Sequence, residues 1–473
     1  SPKNKVSAMV VMAADMTRHQ HRHSRRMRTR YTKENDGNTR RQQIRTHIGR
    51  ALASFCVMCI SLAALVRLTR INPYDTIDDP SLSSIDDYAQ NRAAVLTQRY
   101  RHKYRNSNDS NAKRSYHKDI PIPKTDREKV DLILSGKFQL VNLEIDKLGT
   151  QRKSGYEGVK GHFCNLDWSQ YKSDPSSIPM FKDLVKPCNA RNSFTYDLKE
   201  IVNLATAMDN PDIHAMEPSG FIFHESRCGS TLVANALTAM DPEQHRVYSE
   251  SRPLIRAIRA CGIGGKECPS QVGVELIQDV VYIMGRTRDS LEKGLFFKIQ
   301  SLGTKYIDVV LEAFPNTPWI FVYREPVQII TSQLKHGVKK ANCVKQYGHI
   351  SHEKKLFLTS IGRSEKELSP VEKCAVHLST ICDAAIVAIS RSKGKGIRIS
   401  YDNIVNKLIE DVIPRHFLIA ITDERRERII DVSGKYSKGR AHKAGEWKED
   451  SKDKEELATS EIRQASKIFL YDS

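Results

Sequence analysis

Residues 220–237 read G-F-I-F-H-E-S-R-C-G-S-T-L-V-A-N-A-L, and the order of their apolar and polar residues decides the fold. Phe221, Ile222 and Phe223 form the apolar run of a buried strand, while Leu232, Val233, Ala234, Ala236 and Leu237 read as a helix packed back on the sheet. Between them lies a short polar turn with one glycine. A helix that begins at Gly229-Ser230-Thr231 points its unpaired N–H groups, and the positive end of its dipole, into that turn, which therefore suits phosphate. A triphosphate loop, G-x-x-x-x-G-K-[ST], is longer and carries a lysine after its second glycine. Here the cation, Arg227, precedes the glycine and no lysine follows, so one phosphate fits better than three. Plain α/β packing through a glycine turn would need no ligand.

A second buried strand, Trp319-Ile320-Phe321-Val322-Tyr323, runs into Arg324, Pro326 and a helix that carries Ser332. Arginine suits phosphate because its planar fork pairs with two oxygens and does not deprotonate. Pro326 fits a first helical turn, where the missing N–H has no partner to lose. Taken alone, Arg324 and Ser332 would pass for a loop arginine and a helix-surface serine. Together with the earlier turn they resemble the sulfotransferase family. Ser226-Arg227-Cys228-Gly229-Ser230-Thr231-Leu232 is similar to that family's 5′-phosphosulfate loop, and Arg324 with Ser332 to its 3′-phosphate signature. The basic stretch 436–448 resembles the late loop that closes over the nucleotide, with Lys438, Gly439 and Arg440 as its best matches; a solvated basic loop has the same composition.

The resemblance implies an α/β fold of the P-loop/sulfotransferase-like kind, a parallel sheet with helices on both faces. It implies 3′-phosphoadenosine 5′-phosphosulfate as donor, in-line transfer of the sulfuryl group to a hydroxyl or amine acceptor, and no metal. Glu250, at the end of the strand Arg246-Val247-Tyr248-Ser249, is the first choice for general base. Ser251-Arg252 intrudes where relatives carry Ser-Glu-Pro, and a salt bridge from Glu250 to Arg227 or Arg252 is the competing reading. His224 and Glu225 are second-choice bases or strand-end contacts. Lys298, closing the strand that begins at Gly294, would balance charge on the moving group or else snorkel to the surface. Strand and helix continue to alternate through the helix 371–390 and the strand 396–402, as a parallel sheet requires, and 455–470 reads as one closing amphipathic helix.

The chain has 473 residues and a net charge of +19, unevenly spread. Residues 1–50 hold 13 Lys/Arg against three acids and lack apolar periodicity, the composition of a disordered basic tail. Such an arm also suits nucleic acid or lipid, but the next segment points to a membrane and no nucleic-acid partner is expected. Residues 51–66 carry no charge, and 51–68 reach the short end of a bilayer span, here read as a retained transmembrane anchor. Basic residues before it and acids after it place the N-terminus in the cytosol and the remainder, as a type II protein, in the lumen; the short span suits early secretory membranes, and the Golgi is the expected location. A core helix, a signal-peptide hydrophobic region or an Arg-rich presequence are the other readings of the same residues.

Polar residues 69–148 read as a stem, and 149–473 as the folded catalytic domain. Outside the anchor eight cysteines remain, an even number that suits the lumen, with Cys164–Cys188 and Cys261–Cys268 as candidate pairs. A papain-like role for Cys228 is disfavoured, because a turn built for phosphate leaves it no paired histidine, although His224 is near in sequence. No Cys/His grouping there has zinc spacing. Two other function classes use the same pattern, a nucleotide kinase or hydrolase and a non-catalytic lumenal nucleotide-binding protein; the missing lysine after Gly229 counts against the kinase.

Overall fold

The structure is a computed structural model that describes residues 123–145, 155–207, 212–260, 270–347, 352–435 and 449–470. The basic tail, the expected anchor, most of the stem, the pair Cys261–Cys268 and the loop residues Lys438, Gly439 and Arg440 lie outside them.

The folded chain starts earlier than its composition suggests. A helix, α1 (Asp126–Leu134), opens with a reciprocal cap in which Thr125 and Glu128 satisfy each other's backbone N–H groups. It leads into β1 (Gln139–Glu144), so the end of the segment expected to be stem belongs to the domain. This strand pairs antiparallel with β2 (Lys160–Cys164), which pairs with β3 (Ser193–Asp197). The small sheet, followed by α2 (Leu198–Ala207), lays Leu140, Leu143, Phe163, Leu198 and Ile201 on one face of the main core. A disulfide between Cys164 and Cys188 ties its end, as the spacing suggested.

The main sheet begins with β4 (Pro218–His224), followed by α3 (Ser230–Met240), β5 (His245–Ser249), α4 (Arg252–Arg259) and α5 (Ser270–Met284). Then come β6 (Gly294–Lys298), α6 (Ile307–Ala313), β7 (Trp319–Tyr323), α7 (Pro326–Leu334), α8 (Pro370–Arg391) and β8 (Gly396–Ser400). All five strands are parallel, in the order β8-β7-β4-β6-β5. Their period of two divides the side chains cleanly. Phe221, Phe223, Phe297, Tyr248 and Trp319 face one core, and Ile222, Phe296, Val247, Ile320 and Val322 the other. Burial on both faces explains why these strands read as unbroken apolar runs. A five-stranded parallel sheet flanked by helices is therefore the architecture, as expected.

The helix α8, introduced by a Ser369/Glu372 capping box, is long and apolar enough to cross a membrane, but half of its apolar window is buried in this fold. A second disulfide, Cys343–Cys374, fastens its start to the segment before it. After α9 (Asp423–Ser433), the expected single closing helix is two, α10 (Ser451–Glu456) and α11 (Ser460–Leu470). The break falls at Thr459, whose hydroxyl accepts from the Ile462 N–H at 3.3 Å and so starts a new helix.

Candidate donor-binding and transfer site

The chain leaves β4 toward β5 on one side and later continues beyond β4 through β7 to β8 on the other. The carboxyl end of β4 therefore lies where the strand order reverses, the place at which open α/β sheets bind ligands. A cleft of about 480 Å³ opens there.

Between β4 and α3 the backbone takes positive φ at Ser226 (77°), Arg227 (60°) and Gly229 (85°). Left-handed conformations at Ser226 and Arg227 cost on the order of 1 kcal/mol or more each, a strain typical of ligand cradles. Gly229 has a further reason to be glycine, since a Cβ there would meet the Tyr401 ring at 2.7 Å. Among the described residues the N–H groups of Arg227, Gly229 and Thr231 find no acceptor, and they sit at the positive end of α3. Ser226, Arg227, Gly229, Ser230, Thr231 and Leu232 line the cleft. Cys228 does not. Its thiol turns into the core, donates to the Val322 carbonyl at 3.1 Å and is pushed by burial up to about 12, which leaves it inert as a nucleophile.

Arg324 and Ser332 line the same cleft. The register that sets His224 against Val322 carries β7 two residues further, to Arg324, beside the turn. Arg227 bridges the two motifs, its Nε donating to Ser332 Oγ at 2.9 Å. The buried Arg324 guanidinium lies 3.9 Å from the centre of the Tyr401 ring, so Tyr401, just after β8, stands between the glycine turn and the strand-end arginine. Arg324 Nε donates to Gln328 at 2.6 Å, and Nη2 to Asp450 and Ser451, each at 2.9 Å. Tyr401, Asp450 and Lys454 escaped the sequence reading altogether.

Glu225 does not reach the cleft, contrary to its candidacy as a base. Its carboxyl is buried between β4 and β7, where one oxygen accepts from the Arg324 N–H at 3.0 Å and the other from the Cys382 thiol at 3.0 Å. Burial pushes it up to about 7.

Glu250 lines the cleft, in a left-handed conformation (φ 57°), and neither Arg227 nor Arg252 is its partner. The register that places Lys298 between Ile222 and Ser249 sets the buried Lys298 ammonium directly against the Glu250 carboxylate. Burial would raise this carboxyl, but the Lys298 charge outweighs it and holds Glu250 well below the usual carboxylate range. Lys298 stands behind Glu250 and does not itself line the cleft, so it does not face the place where a moving group would sit. His224 lines the cleft, with Nε2 3.6 Å from Glu250 Oε1, and its Nδ1 accepts from the Ser226 N–H at 2.9 Å. Burial first, and then the Lys298 charge, lower its proton affinity, so it is a neutral imidazole carrying its proton on Nε2.

Cations dominate the rest of the cleft wall, with Lys182, Lys335, Lys340, Lys435 and Lys454 against the single further carboxylate of Asp450. Among the described residues no group of His, Cys, Asp and Glu is arranged to hold a metal ion.

No family model matches the chain, and no curated protein matches it. Solved structures similar to it include a sulfotransferase from Mycobacterium avium, STF9, at 12% identity and a TM-score of 0.36, covering 74% of this chain and 96% of that one. Others are the sulfotransferase domain of the Synechococcus PCC 7002 olefin synthase (15% identity, TM-score 0.29, 46% of this chain and 81% of that one) and that of the curacin biosynthetic pathway (13%, 0.30, 54% and 98%).

Proposed function

We propose that this chain is a sulfotransferase that moves the sulfuryl group of 3′-phosphoadenosine 5′-phosphosulfate to a hydroxyl or amine. The observation that carries this reading is the meeting, in one cleft, of the glycine turn with the strand-end arginine and Ser332, the turn being tied to Ser332 by the Arg227 hydrogen bond. The residues present fit the donor. Unsatisfied N–H groups at Arg227, Gly229 and Thr231, with the hydroxyls of Ser230 and Thr231, suit the 5′-phosphosulfate, and Arg324 with Ser332 suits the 3′-phosphate. A Walker lysine is missing, which speaks against a triphosphate.

In this reading the acceptor oxygen or nitrogen attacks sulfur in line as the bond from sulfur to the 5′-phosphate oxygen breaks, and adenosine 3′,5′-bisphosphate departs. The acceptor proton passes to Glu250. A carboxylate held by Lys298 is a weak base toward a free alcohol, but the attacking oxygen becomes strongly acidic as it bonds to sulfur, and transfer is then downhill. Lys298, expected to meet the moving group, instead fixes Glu250, while the buried His224 Nε2 lies 3.6 Å from the same oxygen, too far for a hydrogen bond, and finds no partner among the described residues. Arg227 balances the charge that develops on the leaving phosphate.

The same proposal extends to location: residues 51–68 anchor the chain once, the tail is cytosolic and the catalytic domain lies in the Golgi lumen. Two disulfides among the described residues support an oxidising compartment.

Transfer of labelled sulfate from the donor to fractions of a cell extract tests the reading and finds the acceptor class. Glu250→Gln should keep its affinity for adenosine 3′,5′-bisphosphate while turnover falls roughly 10²- to 10⁴-fold. Unchanged turnover would remove Glu250 as the base.

A further inference from the structure

Where the Arg324 guanidinium faces the cleft, an anion already stands. Nη2 of Arg324 and Nζ of Lys454 both donate to the same Asp450 oxygen, at 2.9 and 2.6 Å, and Ser451 Oγ accepts from the same Nη2 at 2.9 Å. The charges are unequally exposed. The side chain of Asp450 is 47% exposed, whereas those of Arg324 and Lys454 are 3% and 12% exposed, so the cations are fixed and the carboxylate is the member open to the cleft. Asp450, Ser451 and Lys454 all come from the start of α10, which is held to α7 by a hydrogen bond from Gln328 to Glu455 at 3.2 Å. A guanidinium N–H and an ammonium converging on one point, with a hydroxyl beside the guanidinium, form a set that receives a phosphate monoester, and here a single carboxylate fills it.

We propose that Asp450 is an internal competitor for the nucleotide's 3′-phosphate, holding its place on Arg324 and Lys454 until the nucleotide arrives and returning to it as the nucleotide leaves. This rests on the donor reading above. A phosphate monoester carries close to two negative charges and three acceptor oxygens, against the carboxylate's one charge, so it displaces Asp450 and still binds. Its affinity is lowered by the ion pair that must break. Asp450 thus shortens the stay of adenosine 3′,5′-bisphosphate, the product that must depart before the next turnover, without touching any group near the sulfur. The start of α10 follows the displaced carboxylate, so its packing on α7 reports whether the 3′-phosphate is bound.

Calorimetric titration of the wild-type chain and Asp450→Asn with adenosine 3′,5′-bisphosphate and with adenosine 5′-monophosphate tests this. The variant should bind the bisphosphate roughly three- to tenfold more tightly, the range set by one partly exposed ion pair, and the monophosphate unchanged. Hydrogen exchange over residues 450–456 should speed up in the wild type with the bisphosphate and not with the monophosphate. Equal or weaker bisphosphate binding by the variant overturns the inference alone, because Asp450 then merely holds Arg324 in place. Absence of bisphosphate binding in both proteins takes down the donor reading and this inference together.

Discussion

Glu225 joins the glycine turn to the strand-end arginine, since it sits at the end of the strand that carries the turn and accepts from the backbone N–H of Arg324. A carboxyl whose proton affinity is raised by folding, here from an ordinary 4.5 to about 7, binds its proton in the native state first. The stability it contributes is full below about 4.5 and is lost as the pH rises through about 7. Glutamine at this position keeps one carbonyl oxygen to accept from the Arg324 N–H and turns its NH2 toward the Cys382 sulfur, and it does not ionise. Thermal unfolding of Glu225→Gln should match the wild type near pH 5 and exceed it at pH 8, by at most on the order of 3 kcal/mol at about 1.4 kcal/mol per unit. Parallel pH profiles for the two proteins would show that the carboxyl ionises as freely in the folded chain as in the unfolded one. Burial, not neighbouring charge, sets this residue's behaviour, and burial is what a sequence does not display. For that reason Glu225 passes in the sequence for a base at the cleft.

The element on which the site depends is the turn from β4 to α3. Its function comes from left-handed backbone at Ser226, Arg227 and Gly229, and only the glycine adopts that shape without cost. Gly229→Ala should therefore weaken adenosine 3′,5′-bisphosphate binding and lower the melting temperature. The backbone term alone is about 1–2 kcal/mol, to which contact with the Tyr401 ring adds. An alanine variant with wild-type melting and binding would mean that the turn is not held as described. This element was legible because its strand, glycine and helix are written consecutively. Other elements were misread where a local signal was passed over. Thr125 and Glu128 spell a capping box inside a segment taken for stem, and Thr459 divides what looked like one closing helix into α10 and α11.

At the scale of the whole molecule, the sheet order gathers the site. Two-sided burial made the central strands readable as apolar runs, and the order β8-β7-β4-β6-β5 then brings the ends of all five to one edge. Glu250, Lys298, Arg324 and Ser332 could be singled out because each ends a strand or follows one at a fixed spacing. Their pairings could not. Lys298 meets Glu250 only through the register of β5 on β6, and Arg324 meets Asp450 across 126 residues of chain. Tyr401 has no sequence signal at all, since its place between Gly229 and Arg324 exists only once β8 lies beside β7. In the proposed function, one nucleotide phosphorylated at both its 3′ and 5′ positions spans the turn and the strand-end arginine. Calorimetric titration with adenosine 3′,5′-bisphosphate and, separately, with ATP and magnesium tests it most directly. The bisphosphate should bind, about 10- to 100-fold more weakly to Arg324→Gln, and ATP should bind poorly. Tight magnesium-dependent binding of ATP with none of the bisphosphate would contradict it.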